Sequence, residues 1–196
     1  MKILILGGTK FVGKKIADSL FTNSDHEINF LNRGVSNPEI FKKYKTIFMD
    51  RNNSNLILED KPFYDLVIDV SCYDINQLVN VIKNITFEKY IFISSSAVSG
   101  IPFTNVSPDM YEMAQYAYKK KECEDYIINN IKKYLIFRPC YIVGENDYTN
   151  RFYKKDGKYY WNNGLELTYY IESKNLARLI DDNIFFENSK IINPCG

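Results

Sequence analysis

Ile3-Leu4-Ile5-Leu6-Gly7-Gly8-Thr9-Lys10-Phe11-Val12-Gly13 is the stretch on which the fold turns. Four apolar residues between Lys2 and Gly7 read as a short strand buried on both faces. A glycine turn follows, and Lys14-Lys15-Ile16-Ala17-Asp18-Ser19-Leu20 then carries apolar residues at helical spacing. Strand, glycine turn and helix in that order open a dinucleotide-binding unit. Glycines let backbone N–H groups approach a pyrophosphate, and the helix N-terminus adds a favourable dipole end. The same pattern without a ligand is a plain tight turn between strand and helix. Its position straight after a strand and before a helix favours the binding reading.

Outward from this unit, strands and helices alternate. Strands are expected at 27–32, 46–49, 65–70, 90–93 and 135–137. Asn37-Pro38 marks a turn before a short amphipathic piece. Leu78, Val81, Ile82 and Ile85 lie on one helical face, the stretch 101–109 reads as loop, and a long helix is expected over 110–131. Such repetition implies a parallel sheet with helices on both faces and right-handed crossovers. From Gly144 on, Asp156-Gly157 and Asn163-Gly164 flank Lys158-Tyr159-Tyr160-Trp161, the pattern of a small hairpin. A short helix over 173–180 and a last strand over 190–193 follow. The expected architecture is one α/β domain, a doubly wound parallel sheet over 1–143 with a small C-terminal lid and last strand over 144–196.

Composition narrows the function classes. The chain has 196 residues, enough for one sizeable core, and a net charge of +1, which gives a nucleic-acid partner no electrostatic footing. Cys72, Cys123, Cys140 and Cys195 are scattered without a CxxC pair and read as reduced thiols of a cytoplasmic protein. His26 is the only histidine, in a polar turn between Asp25 and Glu27, so no multi-histidine metal site is expected. No apolar run is long enough to span a membrane.

Two clusters carry chemistry. Tyr116 and Lys120 lie four residues apart, so on a helix the phenol and the ammonium share a face. A nearby cation stabilises a phenolate and fits the tyrosine for acid/base work. Ser94-Ser95-Ser96 ends the fifth strand, where a hydroxyl can hold a substrate oxygen or simply cap the next turn.

With these residues in order, the chain resembles the short-chain dehydrogenase/reductase superfamily, in its extended or atypical NAD-dependent epimerase/dehydratase branch. The likeness rests on Gly7 to Gly13, Leu31-Asn32-Arg33-Gly34, Asp50-Arg51, Asp69-Val70-Ser71-Cys72-Tyr73 and Ile93 to Val98. It continues through Tyr116 to Lys120 with Glu124, Arg138 to Gly144, Asp147 to Phe152 and Asn175-Leu176-Ala177. The resemblance implies a Rossmann-type fold and an NAD(P)-dependent epimerase, dehydratase or reductase. Tyr116 would be the catalytic acid/base, Lys120 would hold the nicotinamide ribose and lower the tyrosine pKa, and Ser95, or second Ser96, would hold the substrate oxygen. The cofactor would lie along Gly7, Gly8, Thr9, Lys10, Phe11, Val12 and Gly13, Asn32 and Arg33, Asp50 and Arg51, Val70 and Ser71, and Pro139. Asp50 would read the adenine edge. It also implies a homodimer through the helix after the fourth strand and the one carrying Tyr116, where Met110, Met113, Ala114 and Ala117 are candidate contacts.

Two departures bear on this. The usual middle glycine is Lys10, and the C-terminal region is short for an enzyme of nucleotide sugars. A non-catalytic NAD(P)-binding sensor or scaffold is therefore the alternative to the enzyme. Cofactor choice is more explicit. NAD-specific units end their second strand in Asp or Glu, which takes the ribose 2′-OH and repels a 2′-phosphate. Here the position reads Asn32-Arg33, which favours NADP(H) over NAD(H) through charge-assisted bonds from Arg33.

Overall fold

A computed structural model describes residues 1–23, 25–37, 39–53, 57–58, 60–103 and 107–195. The opening strand β1 (Lys2–Leu6) leads through the glycine turn into α1 (Phe11–Asn23), then β2 (Glu27–Asn32), α2 (Glu39–Lys43) and β3 (Lys45–Phe48). The second half runs β4 (Phe63–Asp69), α3 (Ile75–Asn84), β5 (Thr86–Ile93), α4 (Tyr111–Asn130) and β6 (Tyr134–Phe137). Seven strands form one sheet in the order β11-β6-β5-β4-β1-β2-β3, with β11 (Lys190–Ile192) on the far edge, and every pairing is parallel. This is a Rossmann-like α/β fold, and β1 is an inner strand. The chain leaves β3 on one side of β1 and returns as β4 on the other, so the switch point lies between β1 and β4.

Alternation along β1 divides the core. Ile3 and Ile5 pack with Val12, Ile16 and Leu20 of α1 and with Phe30. Leu4 and Leu6 face the other way, onto Leu78 and Val81 of α3 and Cys123 and Ile127 of α4. β1 is thus covered on both faces, as its unbroken apolar run requires.

The remaining elements cover the carboxyl edge. β7 (Tyr141–Val143) pairs in parallel with β10 (Tyr170–Glu172), and β8 (Phe152–Lys155) with β9 (Lys158–Trp161) as an antiparallel hairpin. Asp156 and Gly157 at the hairpin turn have φ of 49° and 82°, left-handed values that Asp and Gly tolerate. α5 (Ser173–Asp181) lays Leu176, Ala177 and Ile180 into the same core layer as α1. Val143, Tyr159 and Leu167 make a separate small core beneath the hairpin.

Several expectations shift. β5 begins at Thr86 rather than Tyr90, because it pairs with β4 from Phe63 onward. The β7–β10 ladder was not expected, as three-residue strands carry no readable period. Ala114 and Ala117 are buried at 5 % and 0 % exposure and belong to the core, not to a dimer surface; Met113 on the same helix and Met110 just before it are exposed. Pro38 of the expected turn and residues 104–106 of the expected loop lie outside the described residues. Among the described residues, no helix is long and apolar enough to cross a membrane, and all four cysteines are free thiols.

Candidate active site

A cleft of about 1290 Å³ opens over the carboxyl ends of β1, β2, β4 and β5 and continues under the hairpin. That exceeds the roughly 300–1,000 Å³ of single-ligand pockets and leaves room for a dinucleotide beside a small substrate.

One end is built by the glycine turn. Gly7 has φ 87°, and a Cβ there would lie 2.5 Å from the Ser71 side chain. Gly13 brings α1 against the turn so closely that a Cβ would stand 2.0 Å from the Gly7 carbonyl oxygen. Gly7, Thr9, Lys10, Phe11, Val12 and Gly13 line the cleft. Gly8 faces inward instead, where a Cβ would meet Phe30 at 1.9 Å; its lack of a side chain serves packing.

At the end of β2, Asn32 and Arg33 both line the cleft, and the Asn32 Nδ2 is buried with no hydrogen-bond partner among the described residues. A buried amide donor without an acceptor is costly, and a ribose or phosphate oxygen would satisfy it. Asp50 lies nearby, its carboxylate accepting from the Asn52 backbone N–H at 2.9 Å and side-chain amide at 2.8 Å. Those bonds, with a smaller contribution from the Arg33 charge, hold its pKa below the usual carboxylate range.

Arg51, expected at the cofactor, lines the cleft and is held there by a buried ion pair. Its guanidinium forks onto the Asp69 carboxylate at 2.8 and 2.7 Å, and the Tyr90 hydroxyl donates to the same carboxylate at 2.8 Å. Burial alone would push the Asp69 carboxyl up, but Arg51 and Tyr90 outweigh it and hold the group below its ordinary pKa. This ion pair braces the loop after β3 against the end of β4. Val70 and Ser71 beyond it line the cleft, as does Pro139 after β6.

The three serines at the end of β5 have different fates. The Ser94 hydroxyl is buried and donates to Glu124 at 2.5 Å, and Glu124 in turn takes Arg138 through Nε at 3.0 Å and Nη2 at 2.6 Å. This network ties β5, α4 and β6 together. Ser95 faces the cleft and accepts from the Ala97 N–H at 3.2 Å; its hydroxyl also draws the pKa of the Tyr116 phenol downward. Ser96 is held through its backbone N–H by the Pro139 carbonyl at 2.9 Å.

Tyr116 and Lys120 share one face of α4, with Lys120 Nζ 5.9 Å from the Tyr116 ring centre. Lys120 is 2 % exposed and donates to the backbone carbonyls of Cys72 at 2.6 Å and Ile93 at 2.8 Å. Two of its three donors are thereby fixed. Burial lowers its pKa, against the opposing pull of Cys72 and Asp69. Tyr116 differs from the expectation of a lowered pKa: burial and the neighbouring Tyr73 push it up to about 12, against smaller downward effects of Ser95 and Arg151. The phenol is thus a protonated donor at neutral pH.

Tyr73, Tyr148, Thr149, Arg151 and Trp161 also line the cleft, on its hairpin side. Tyr73 stands close to Lys120, with Nζ 5.4 Å from its ring centre. Sequence reasoning gave these side chains no role. Spacing links Tyr116 to Lys120 on one helix, but nothing local links either to a hairpin that begins at Phe152.

No family model and no curated protein sequence matches the chain. Solved structures do. The UDP-glucuronic acid 4-epimerase from Bacillus cereus, in complex with NAD, aligns with a TM-score of 0.65 at 15% identity, over 100% of this chain and 77% of that one. The UDP-N-acetylglucosamine 4-epimerase from Methanobrevibacter ruminantium M1, in complex with UDP-N-acetylmuramic acid, gives 0.68 at 18%, over 99% and 76%. A short-chain dehydrogenase/reductase from Veillonella parvula, in complex with NADP, gives 0.63 at 15%, over 98% and 94%. These proteins share the fold of this chain.

Proposed function

We propose that the chain is an NAD(P)-dependent enzyme of the short-chain dehydrogenase/reductase type, acting as a reductase or epimerase at a hydroxyl/carbonyl centre of a small or sugar-like substrate. The observation that carries this reading is the meeting, in one cleft, of the glycine turn and the unsatisfied Asn32 amide with Ser95, Tyr116 and Lys120. Residues 1–143 form the nucleotide-binding unit in this reading and 144–196 a reduced substrate side, in a cytoplasmic protein. Homodimer formation across α3 and α4 belongs to the same reading, and sedimentation showing only monomer at micromolar protein would remove it.

A nicotinamide dinucleotide, when bound, supplies or accepts a hydride. The protein's residues do the rest. The backbone of the glycine turn and the N-terminus of α1 hold the pyrophosphate. The free third donor of Lys120 takes a ribose hydroxyl, while its other two keep the ammonium in place. Ser95 holds the substrate oxygen beside Tyr116, whose Oη gives up its proton as that oxygen becomes a hydroxyl, or takes one in the reverse direction.

NADP(H) is the preferred form in this reading. Asn32 offers a donor where an NAD-specific site places a carboxylate, and the exposed Arg33 adds a cation beside it. Titration of both cofactors is expected to show tighter binding of NADP(H), and Arg33→Ala to cut that preference about tenfold. Equal affinity for NAD(H), or an unchanged ratio in Arg33→Ala, would overturn the preference.

A further inference from the structure

The hairpin side of the cleft holds a cation that the reading above does not use. Arg151 lines the cleft, and its position is built rather than incidental. Its backbone carbonyl accepts from the Asn162 N–H at 3.0 Å, and the Asn162 side chain donates to the Asn150 carbonyl, which fastens the entry of β8 to the end of β9. The guanidinium lies 5.1 Å from the centre of the Phe152 ring. Phe152 packs in turn on Tyr141 and Trp161, at centroid distances of 5.7 and 4.8 Å. Nε donates to the Thr149 hydroxyl at 3.1 Å, and that hydroxyl is itself anchored on Asp147 at 2.6 Å.

One donor of the guanidinium is therefore committed to orientation. Both Nη groups lack a partner among the described residues, and neither Asp50 nor Glu112, carboxylates that line the cleft, forms an ion pair with Arg151. An oriented fork with free parallel donors matches a carboxylate or a phosphate. Its positive charge also reaches the catalytic end, since it pulls the pKa of both Tyr73 and Tyr116 downward against the effect of burial.

We infer that Arg151 anchors an oxyanion on the substrate, carboxylate or phosphate, and so presents the neighbouring carbonyl to Tyr116. The inference rests on the reading of Tyr116 as the proton donor and narrows it to small anionic carbonyl compounds and their alcohols. Tyr148 and Trp161 supply apolar wall to the same space, and Arg151 distinguishes an acid from its neutral ester there.

Trp161 is the sole tryptophan and reports on this end of the cleft. Its fluorescence is followed while NADP⁺-saturated protein is titrated with pyruvate, methyl pyruvate or inorganic phosphate. At least one of the two anions is expected to give a saturable change, weakened about tenfold or more in Arg151→Met and kept within a few-fold in Arg151→Lys. The tighter anion assigns carboxylate or phosphate. Arg151→Met titrating like the wild type, methyl pyruvate binding as well as pyruvate, or no saturable change with either anion would each overturn the assignment. Anion binding through Arg151 in a protein that fails to bind NADP⁺ would uphold the anchor and overturn the nicotinamide reading beneath it.

Discussion

Replacing Tyr116 by phenylalanine is expected to lower turnover by about 10²–10⁴-fold while NADP(H) affinity stays within a few-fold, because only the proton donor is lost. The phenol's pKa of about 12 sets the pH dependence. In the reductive direction Tyr116 donates, and it is fully protonated throughout the neutral range, so the rate is flat between about pH 6 and 9. In the oxidative direction it must act as phenolate, whose fraction grows about tenfold per pH unit below that pKa, so the rate climbs across the same range. Stopped assays on a panel of hydroxy acids and sugars with both cofactor forms read all three quantities. Undiminished turnover in Tyr116→Phe would take the tyrosine out of the chemistry.

Breaking the Arg51–Asp69 pair is expected to cost about 3–5 kcal/mol of stability, the usual penalty for stranding one buried charge. Asp69 is wholly buried and Arg51 nearly so. Arg51→Met leaves the Asp69 carboxylate with the Tyr90 hydroxyl alone as hydrogen-bond partner from a side chain on the strands. Thermal unfolding is the measurement, and the double variant Arg51→Met/Asp69→Leu should recover much of the loss because no charge remains to be stranded. Acid acts on the same pair. The folded-state pKa of Asp69 lies below its ordinary value of 3.8, so the stability it contributes is present above that pH and is lost as the pH falls further. A single variant as stable as the wild type would refute the bracing role.

The glycine turn was legible because its residues are contiguous: four apolar residues, a glycine pair and a helical stripe can only be read in one order. The parallel sheet with helices on both faces followed from the alternation of strands and helices, whereas the order of the strands did not. Contacts between distant segments were not legible. Arg51 and Asp69 are 18 residues apart and meet across the carboxyl end of the sheet, although β1 and β2 stand between β3 and β4. Ser94 and Ser95 look alike in sequence; the pleat sends one hydroxyl to Glu124 and the other to the cleft. Helical spacing gathered Ala114 and Ala117 into a stripe without saying whether the stripe faces β5 or solvent. Arg151 and Trp161 reach the cleft through a hairpin whose own pattern carries no trace of Tyr116.

The central claim is that the cleft between β1 and β4 holds a nicotinamide dinucleotide, and titration of NADPH against Trp161 fluorescence tests it most directly. Trp161 lies in the same cleft as the glycine turn, close enough for energy transfer to the reduced nicotinamide. Saturable quenching at one NADPH per chain, abolished in Gly13→Val, is the predicted result; a Cβ at Gly13 already collides with the Gly7 carbonyl. Circular dichroism of the variant separates loss of the turn from loss of the fold. A folded wild-type chain that shows no transfer and no binding at millimolar NADPH or NADH would contradict the account.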